Sequence, residues 1–230
     1  MPVLAALLFT APAPLLADIV SQKLEDISFT MNLVSSDRAE LRKINSDFAT
    51  TYEVKSTMFK YKDPLMLRAE GKINGQTVQY VIAGERKTYY VPKFRIKSSQ
   101  DVGKAPGKRQ TLLDWGIVTR GMQGKFLSGT FIRKDQDGRY VFDLRYQYAK
   151  DTSRFRVWAD PKRKVMTKRM WYNQQGQLMA TFHYSDFAPV NGIWFPTMMT
   201  VTNSEGKLAG TSRLENIKVN SGIADSVFKL

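Results

Sequence analysis

Apolar and polar residues alternate with a period of two along most of the chain after residue 50. In 140–146 every second residue is Tyr, Phe or Leu, and a comparable alternation recurs in 154–157 and 178–184. Successive side chains of a β-strand point to opposite faces, so this spacing predicts strands with one buried face. We count about eleven such strands. They are separated by dipeptides suited to turns: Asn74-Gly75, Gly84-Glu85, Asp137-Gly138, Asp160-Pro161, Gln175-Gly176, Asn191-Gly192 and Glu205-Gly206.

Short hairpins between sequential strands indicate an antiparallel meander, because parallel strands need long crossover connections. A sheet of this kind usually buries one face by curling or closing on itself. The chain is therefore predicted to be α+β, mainly antiparallel β, with a single domain over residues 18–230.

Some stretches depart from the strand pattern. Residues 18–45 show helical spacing with a helix start at 36–40, and 52–55 then alternate as a strand. A long interruption at 97–123 contains an amphipathic stretch, 111–122, which predicts a short helix. That helix either covers the open mouth of the sheet as a lid or fills one end of the core. Its apolar stripe is Leu112, Trp115, Val118 and Met122.

The first residues resemble a secretory signal peptide. A short apolar run at 3–9 is followed by small residues up to Ala17, but the basic residues that normally precede such a run are missing. The run is far shorter than the roughly 20 apolar residues of a membrane span. We therefore expect 1–17 to be a truncated signal peptide and the mature protein to be exported and soluble.

The charge balance favours anionic partners. The chain carries 35 Lys and Arg against 21 Asp and Glu, a formal net charge of +14. Export argues against nucleic acid as the partner. Basic residues concentrate in two adjacent predicted strands, which form either a solvated outer face or a contact surface for a membrane or partner protein. The candidate contact residues are Arg154, Arg156, Arg163, Lys164 and Lys168.

Residues suited to catalysis are scarce. The chain has no Cys and a single His, His183, which lies within a predicted strand. This excludes thiolate nucleophiles and zinc sites built from His and Cys. Glycine motifs that cradle phosphates or bind dinucleotides are also missing from the sequence. We therefore predict no enzymatic activity, no metal and no cofactor.

Several phrases of the sequence, in their order and spacing, resemble the periplasmic lipoprotein-sorting (lipoprotein carrier) family over residues 18–230. The phrases are FKYKDPLMLRAE (59–70), VQYVIAG (78–84), TYYVP (88–92), ADP (159–161), YNQQG (172–176), VNGIWFP (190–196) and NIKVN (216–220). The resemblance implies a curved, half-open β-barrel with an N-terminal helix and a helical lid. It also implies a periplasmic carrier that binds the acyl chains of lipoproteins or other lipids and moves them toward the outer membrane.

The implied lipid site is a loosely packed apolar cavity, because a carrier has to release its cargo. The expected lining is Tyr52, Val54, Met58, Leu65, Leu67, Val78, Tyr80 and Tyr89, with Leu112, Trp115, Val118 and Met122 as a movable cover. Lys62 and Arg68 are expected to hold a headgroup or to control gating. We expect a monomer that also meets an inner-membrane or outer-membrane partner protein.

One position departs from the family pattern. In those carriers a basic residue directly precedes the proline that opens the second strand and helps to govern lid opening, whereas here Asp63 precedes Pro64. Gating or cargo is therefore expected to differ. The alternative is an envelope lipid-sensing or partner-binding module of the same fold without a transport role.

Overall fold

The structure is a computed structural model that describes residues 12–148 and 150–230. Thirteen strands form one antiparallel sheet in the described part of the chain. Their bounds are β2 Asp26–Ser36, β3 Ser56–Lys62, β4 Met66–Ile73, β5 Gln76–Ala83, β6 Arg86–Val91, β7 Ile96–Asp101, β9 Leu127–Lys134, β10 Tyr140–Tyr146, β11 Arg154–Asp160, β12 Val165–Tyr172, β13 Leu178–Val190, β14 Ile193–Asn203 and β15 Leu208–Val219. Two further strands, β1 Val20–Ser21 and β8 Val118–Thr119, pair in parallel with each other.

The helices are short. The α-helices are α1 Arg38–Ile44, α2 Ser46–Thr51 and α3 Arg120–Lys125, and the 3₁₀ helices are Leu16–Ile19, Pro92–Phe94, Pro106–Lys108, Leu112–Trp115 and Asp225–Phe228. None of the helices in the described residues combines the length and the apolar character that crossing a membrane requires.

The order of strands across the sheet is β7-β6-β5-β4-β3-β2-β15-β14-β13-β12-β11-β10-β9. Strands that follow one another in the chain are neighbours in this sheet, except that β7 and β9 lie at its two ends. The sheet is continuous because its last strand, β15, pairs with its first, β2. The end strands β7 and β9 each have one partner, so the sheet does not close. This confirms the predicted antiparallel, half-open curved barrel.

The turn dipeptides fall where the sequence places them, between consecutive strands. At Asn74-Gly75 and Asn191-Gly192 both residues have positive φ, between 49° and 77°. These are the two-residue turns whose twist matches that of the flanking strands.

The predicted strand count of about eleven is too low, because β2 falls in the stretch predicted as helical and β7 falls largely in the predicted interruption at 97–123. Residues 26–36 form a central strand in which Ile27, Phe29 and Met31 point to one side. The helix start is correct: α1 begins at Arg38, and the Asp37 carboxylate accepts hydrogen bonds from the N–H groups of the first turn. The predicted strand at 52–55 is a turn, and β3 begins at Ser56.

One row of directly paired residues defines the two faces of the sheet: Phe29, Phe59, Ala69, Tyr80 and Tyr89. The side that carries this row is called the inner face, and the opposite side the outer face. The inner face packs into the main core. On the outer face, the C-terminal turn Asp225–Phe228 packs against β4 and β5.

Of the predicted signal peptide, residues 1–11 lie outside the described residues. Leu16, near its predicted end, is buried in the main core, as is Ile19. The boundary at residue 17 stays a prediction.

Candidate functional site

The inner face is covered by two pieces of chain that do not belong to the sheet. Helices α1 and α2 lie at one end, where Phe48 meets the inner-face residue Phe182 edge to face, with ring centroids 6.0 Å apart. The second piece, residues 111–125, is called the cover segment. Its apolar side chains Leu112, Leu113, Trp115, Ile117, Val118 and Met122 are all fully buried.

Trp115 is the centre of this contact. Its ring lies 4.7 Å from that of Phe59 and 5.1 Å from that of Phe29, in both cases edge to face. The following Gly116 has φ 79°, and a Cβ there would sit 3.1 Å from the Tyr184 ring. Both the positive φ and the close approach require glycine. The cover segment is thus held close to the sheet at this point.

A polar cluster fastens the first part of the cover segment to β12 and β13. The Arg169 guanidinium pairs with the Asp114 carboxylate at 3.1 Å and donates from Nε to the Tyr184 hydroxyl at 3.1 Å. Tyr184 in turn donates to the Asp114 carbonyl oxygen at 3.1 Å. The Arg169 side chain is only 4% exposed, and its guanidinium stacks 4.1 Å from the Phe182 ring centroid. Arg169 is therefore a buried cation on the inner face, and it binds the cover segment.

The surroundings of this first cluster shift the pKa values of its members. Burial raises the pKa of the Asp114 carboxyl, and the nearby Arg169 charge opposes that shift. Burial likewise raises the pKa of Tyr184 to about 12. Tyr184 is therefore a neutral hydroxyl donor at ordinary pH.

A second polar cluster fastens the other end of the cover segment to the β3–β4 turn. Its acceptor is Asp63: one carboxylate oxygen accepts from the Thr119 hydroxyl, and the other accepts from the Gly121 N–H at 2.7 Å. Thr119 also caps α3 by accepting from the Met122 N–H. A Cβ at Gly121 would sit 2.6 Å from the Pro64 Cβ, so only glycine permits this approach. The residue that departs from the family pattern is thus the one that binds the cover segment here.

Three solved structures with a similar fold share only 11–16% sequence identity with this chain. A LolA superfamily protein from Nitrosomonas europaea aligns with a TM-score of 0.60 at 16% identity, covering 93% of this chain and 94% of its own. The fold is LolA-like.

Two further structures agree with this fold. A DUF1329 family protein from Desulfovibrio piger aligns at TM-score 0.55 and 15% identity, covering 90% of both chains. A putative outer membrane lipoprotein-sorting protein domain from Vibrio parahaemolyticus aligns at 0.50 and 11%, covering 93% of this chain and 92% of its own. A family profile described as "Uncharacterized protein" matches residues 123–230. No curated protein matches the chain.

The LolA-like sheet brings most of the predicted lining together. Leu67, Val78, Tyr80 and Tyr89 share the inner face. The other members lie at the edges of that surface: Val54 sits over Gly71, where a Cβ would be 2.6 Å from it, Tyr52 sits over Gly210, and Leu65 packs against the core from the β3–β4 turn. Lipid contact by these residues stays a prediction.

Three predicted residues lie on the outer face instead. Met58 is paired with Thr30 and Glu70 and is 43% exposed. Lys62 donates to Ile223 and Asp225, and Arg68 donates to the Val227 carbonyl oxygen. The last two hold the C-terminal turn rather than the inner-face rim. The alternation of sides along β3 and β4 separates all three from the inner face.

The predicted single helix at 111–122 is wrong. The stretch is a 3₁₀ turn (Leu112–Trp115), the two-residue strand β8 and the first residues of α3. Gly116 at positive φ ends the first turn, and β8 pairs with β1, so the backbone cannot continue as one helix. The stripe Leu112, Trp115, Val118 and Met122 nevertheless faces the core as a unit.

Within the described residues, the cover segment occupies the part of the inner face around Phe29 and Phe59, whereas Tyr89 on the same face is 46% exposed. Two surface hollows, of ≈ 620 and ≈ 230 Å³, lie elsewhere. The larger opens on the outer face beside Met58 and Glu70, and the smaller lies between Lys62, Asp63 and Arg120. The alternative in which residues 111–122 fill the core therefore describes this conformation.

The basic contact residues are ordered by aromatic and acidic neighbours on the outer face. Arg156 binds both oxygens of Asp143 at 2.8 and 2.9 Å, which lowers the pKa of that carboxyl. The remaining contacts are Arg154 over Tyr172 (3.7 Å), Lys168 over Trp158 (4.5 Å), Arg163 over Trp194 (4.8 Å) and Lys164 donating to the Asp18 carbonyl oxygen. His183 is exposed on the same face. A partner or membrane role for this surface stays a prediction.

Sequence reasoning missed the buried cation. Arg169 directly follows the basic contact residue Lys168 in the sequence, but it pairs with Val157 on the inner side of β11 and β12. The alternation carried the signal, since Arg169 falls in phase with the buried Phe155 and Val157 of the facing strand. Another missed residue is Arg109, which is buried beside Phe126 and whose Nε has no hydrogen-bond partner among the described residues.

Replacing Asp63 with Ala should release the second polar cluster. Removing the acceptor leaves the Thr119 hydroxyl and the Gly121 N–H unpaired, at a cost of about 1–3 kcal/mol. We expect faster hydrogen exchange at 119–122 with little change in β10–β14. Asp225→Ala is the matched control, because the exposed Asp225 carboxylate pairs with Lys62 on the outer face, and removing it should cost under about 0.5 kcal/mol. Equal exchange in both variants would contradict a fastening role for Asp63.

Asp63→Asn adds a pH dependence with a definite sign. Burial raises the pKa of Asp63, so the folded state favours its protonated form. The contribution of Asp63 to the free energy of unfolding is then fully present below the pKa that it has in the unfolded state. It is lost as the pH rises through the pKa that it has in the folded state. The difference in unfolding free energy between the native protein and the non-titrating variant should therefore be largest below the unfolded pKa of an Asp, that is, below about pH 3.8, and should narrow toward pH 7. Denaturant titrations across this range test the sign.

Proposed function

We propose that the protein binds the acyl chains of lipids or lipoproteins between the inner face and the cover segment and carries them through the periplasm. The observation that carries the proposal is that a separate segment, not the sheet itself, fills the inner face. Leu112, Trp115, Val118 and Met122 occupy the apolar surface that an acyl chain would need. The described conformation is then the unloaded one.

The affinity for an acyl chain should be moderate, because the chain has to displace the cover segment from the inner face. A sixteen-carbon chain buried completely gains about 12 kcal/mol, at about 0.8 kcal/mol per methylene. Displacing the cover segment exposes its own apolar side chains and therefore cancels part of that gain. A carrier needs this cancellation, because a lipid held with the full gain would not be released.

The two polar clusters give the cover segment a defined position to return to. Near one end of the cover segment Asp114 pairs with Arg169, and near the other end Asp63 accepts from the Thr119 hydroxyl and the Gly121 N–H. Hydrogen bonds depend on direction, so they fix the register in which the apolar side chains re-enter the inner face. We propose that cargo opens one or both clusters when it enters.

Two separate observations support the proposed periplasmic location and the proposed cargo. The apolar segment at 3–9 is expected to export the chain. One structure with this fold is described as a putative outer membrane lipoprotein-sorting domain. Lipoprotein acyl chains are accordingly the first cargo to test, with free fatty acids as the simplest probe.

A reversible crosslink across the cover segment tests the proposal. Val20 and Val118 are register partners in the parallel β1–β8 pair, and the chain has no native cysteine that would compete. In a Val20→Cys, Val118→Cys protein, the disulfide would tie the cover segment to the strand that precedes β2. We expect delipidated, oxidised protein to take up little fluorescent fatty acid, and the same sample to recover uptake after reduction.

Each sample is its own control, because oxidised and reduced forms share one sequence. The single variant Val118→Cys, treated identically, reports any effect of the reagents. Equal uptake by the oxidised and reduced forms would contradict displacement of the cover segment. Absence of uptake by the native protein would contradict acyl-chain binding itself.

A further inference from the structure

The β6–β7 hairpin exposes large apolar side chains near an edge of the sheet. Phe94 is 57% exposed and Ile96 60%, and Tyr89 on the adjoining strand is 46% exposed. Apolar side chains of this size concentrated in one short connection mark an interaction site rather than ordinary surface.

The turn that presents these residues is well formed. Pro92 begins the 3₁₀ turn Pro92–Phe94, Arg95 adopts φ 54°, and the Arg95 N–H donates to the Pro92 carbonyl oxygen at 3.1 Å. The turn also packs against β5. Phe94 is thus held outward by an ordered backbone.

Basic side chains surround the exposed apolar ones. Residues 86–97 contain five basic residues and no acidic one: Arg86, Lys87, Lys93, Arg95 and Lys97. The Lys93 ammonium lies 5.5 Å from the Phe94 ring centroid, and Lys93 and Arg95 flank that ring in sequence and are exposed. Lys97 donates to the Leu230 carbonyl oxygen, which ties the C-terminal residue to the hairpin.

We propose that this hairpin docks the protein on an anionic phospholipid bilayer. Phe94 and Ile96 enter the boundary between headgroups and acyl chains, and Lys93 and Arg95 stay at the level of the phosphates. Each cation near an anionic membrane surface adds to the attraction, and the aromatic ring anchors at the interface. An anionic bilayer fits this hairpin because its basic side chains can pair with the phosphate headgroups while the apolar side chains between them contact the acyl chains.

The docking surface is continuous with the inner face. Tyr89 is paired with Tyr80 on that face, and Val91, two residues further along β6, faces the same side and pairs with Ile96. A lipid leaving the bilayer at the hairpin would therefore meet the proposed lining first at Tyr89. The docking inference goes beyond the proposed acyl-chain binding, and either one can fail without the other.

Vesicle binding by the full chain tests the inference. The probe is vesicles of phosphatidylcholine and phosphatidylglycerol, compared with pure phosphatidylcholine vesicles. We expect the native protein to co-sediment with the anionic vesicles only, with binding that weakens in high salt. Lys93→Glu with Arg95→Glu, and separately Phe94→Ser with Ile96→Ser, should each lower the partition coefficient about tenfold or more.

The matched control variants carry the same kinds of substitution at other exposed positions. Arg133→Glu with Lys134→Glu alters exposed basic residues on the opposite edge strand, and Val34→Ser with Leu208→Ser alters comparably exposed apolar residues. These should bind vesicles like the native protein. A dye attached at Phe94→Cys should also shift to the blue on anionic vesicles, whereas the same dye at Leu208→Cys should not.

The outcomes separate the two proposals. Unchanged vesicle binding by the hairpin variants, equal losses in the control variants, or failure of the native protein to bind anionic vesicles would each overturn the docking inference. Fatty-acid uptake measured without vesicles should be the same in native protein and hairpin variants. If the native protein takes up no fatty acid, that result would contradict acyl-chain binding but would not affect the docking inference.

Discussion

Replacing Trp115 with alanine should lower the free energy of unfolding by about 3–5 kcal/mol, the usual cost of truncating a fully buried aromatic side chain. The indole is fully buried and contacts Phe29 and Phe59 edge to face. Its removal leaves a void between the cover segment and the inner face that neighbouring side chains cannot fill completely. Denaturant unfolding followed by circular dichroism measures the loss.

The same void makes the variant informative about function. An apolar space of this size stays dry and can accept a small apolar ligand. We therefore expect Trp115→Ala to bind a hydrophobic dye or a short-chain fatty acid without displacement of the cover segment. In the native protein, binding should require that displacement.

Trp158→Ala is the matched control, since Trp158 lies on the outer face beneath the Lys168 ammonium. Losing a half-buried ring and one cation–π contact should cost about 1–2 kcal/mol and create no binding space. Trp115→Phe, which keeps most of the ring volume, should fall between native protein and Trp115→Ala and serves if the alanine variant fails to fold. Equal stability losses at the two tryptophans would contradict the central packing of Trp115.

The parts of the fold that sequence alone predicts are those in which local pattern and tertiary packing agree. Residues 140–146 alternate cleanly and form β10, which pairs on both sides. Asn191-Gly192 forms the expected turn because both residues tolerate positive φ without help from the rest of the chain. Such patterns depend on neighbouring residues alone, so they predict the structure whatever the arrangement of the sheet.

The errors arise where tertiary context decides between two local patterns. Residues 27–33 carry an apolar side chain at every second position, which indicates a strand, but the helical spacing of the flanking residues masks this pattern, and pairing with both β3 and β15 makes 26–36 a strand. Residues 111–122 have helical apolar spacing, but β1 takes two of them into a parallel pair. Neither partner strand can be inferred from the segment itself.

The candidate site was harder to predict than the fold, because its polar contacts join residues far apart in sequence. Asp63 meets Thr119 and Gly121 across a separation of more than fifty residues. The sequence did mark Asp63 as a departure from the resembled family, but not what it binds. The alternation along β11 and β12 indicates that Arg169 lies on the inner face, whereas its charge favours the outer face. A buried charge needs a partner, and only the fold supplies Asp114.

Replacing Asp114 with alanine should cost about 2–4 kcal/mol, more than replacing Arg169 with methionine. Asp114→Ala leaves a guanidinium that is 4% exposed without its counter-charge, which is the costly way to break a buried ion pair. Arg169→Met fills the same space with an apolar side chain, and the Asp114 carboxylate left behind is 35% exposed and can be hydrated. We expect the methionine variant to lose about 1–2 kcal/mol.

The double variant decides what the pair does. Without a buried cation, loss of the carboxylate costs only its hydrogen bond from the Thr111 N–H, so Asp114→Ala with Arg169→Met should be more stable than Asp114→Ala alone. An additive double variant would show that the two side chains do not interact. If the pair also fixes the position of the cover segment, the double variant should regain stability yet exchange amide hydrogens faster at 111–116 than the native protein. Stability would then come from the apolar contacts, and the register of the cover segment from the charge pair.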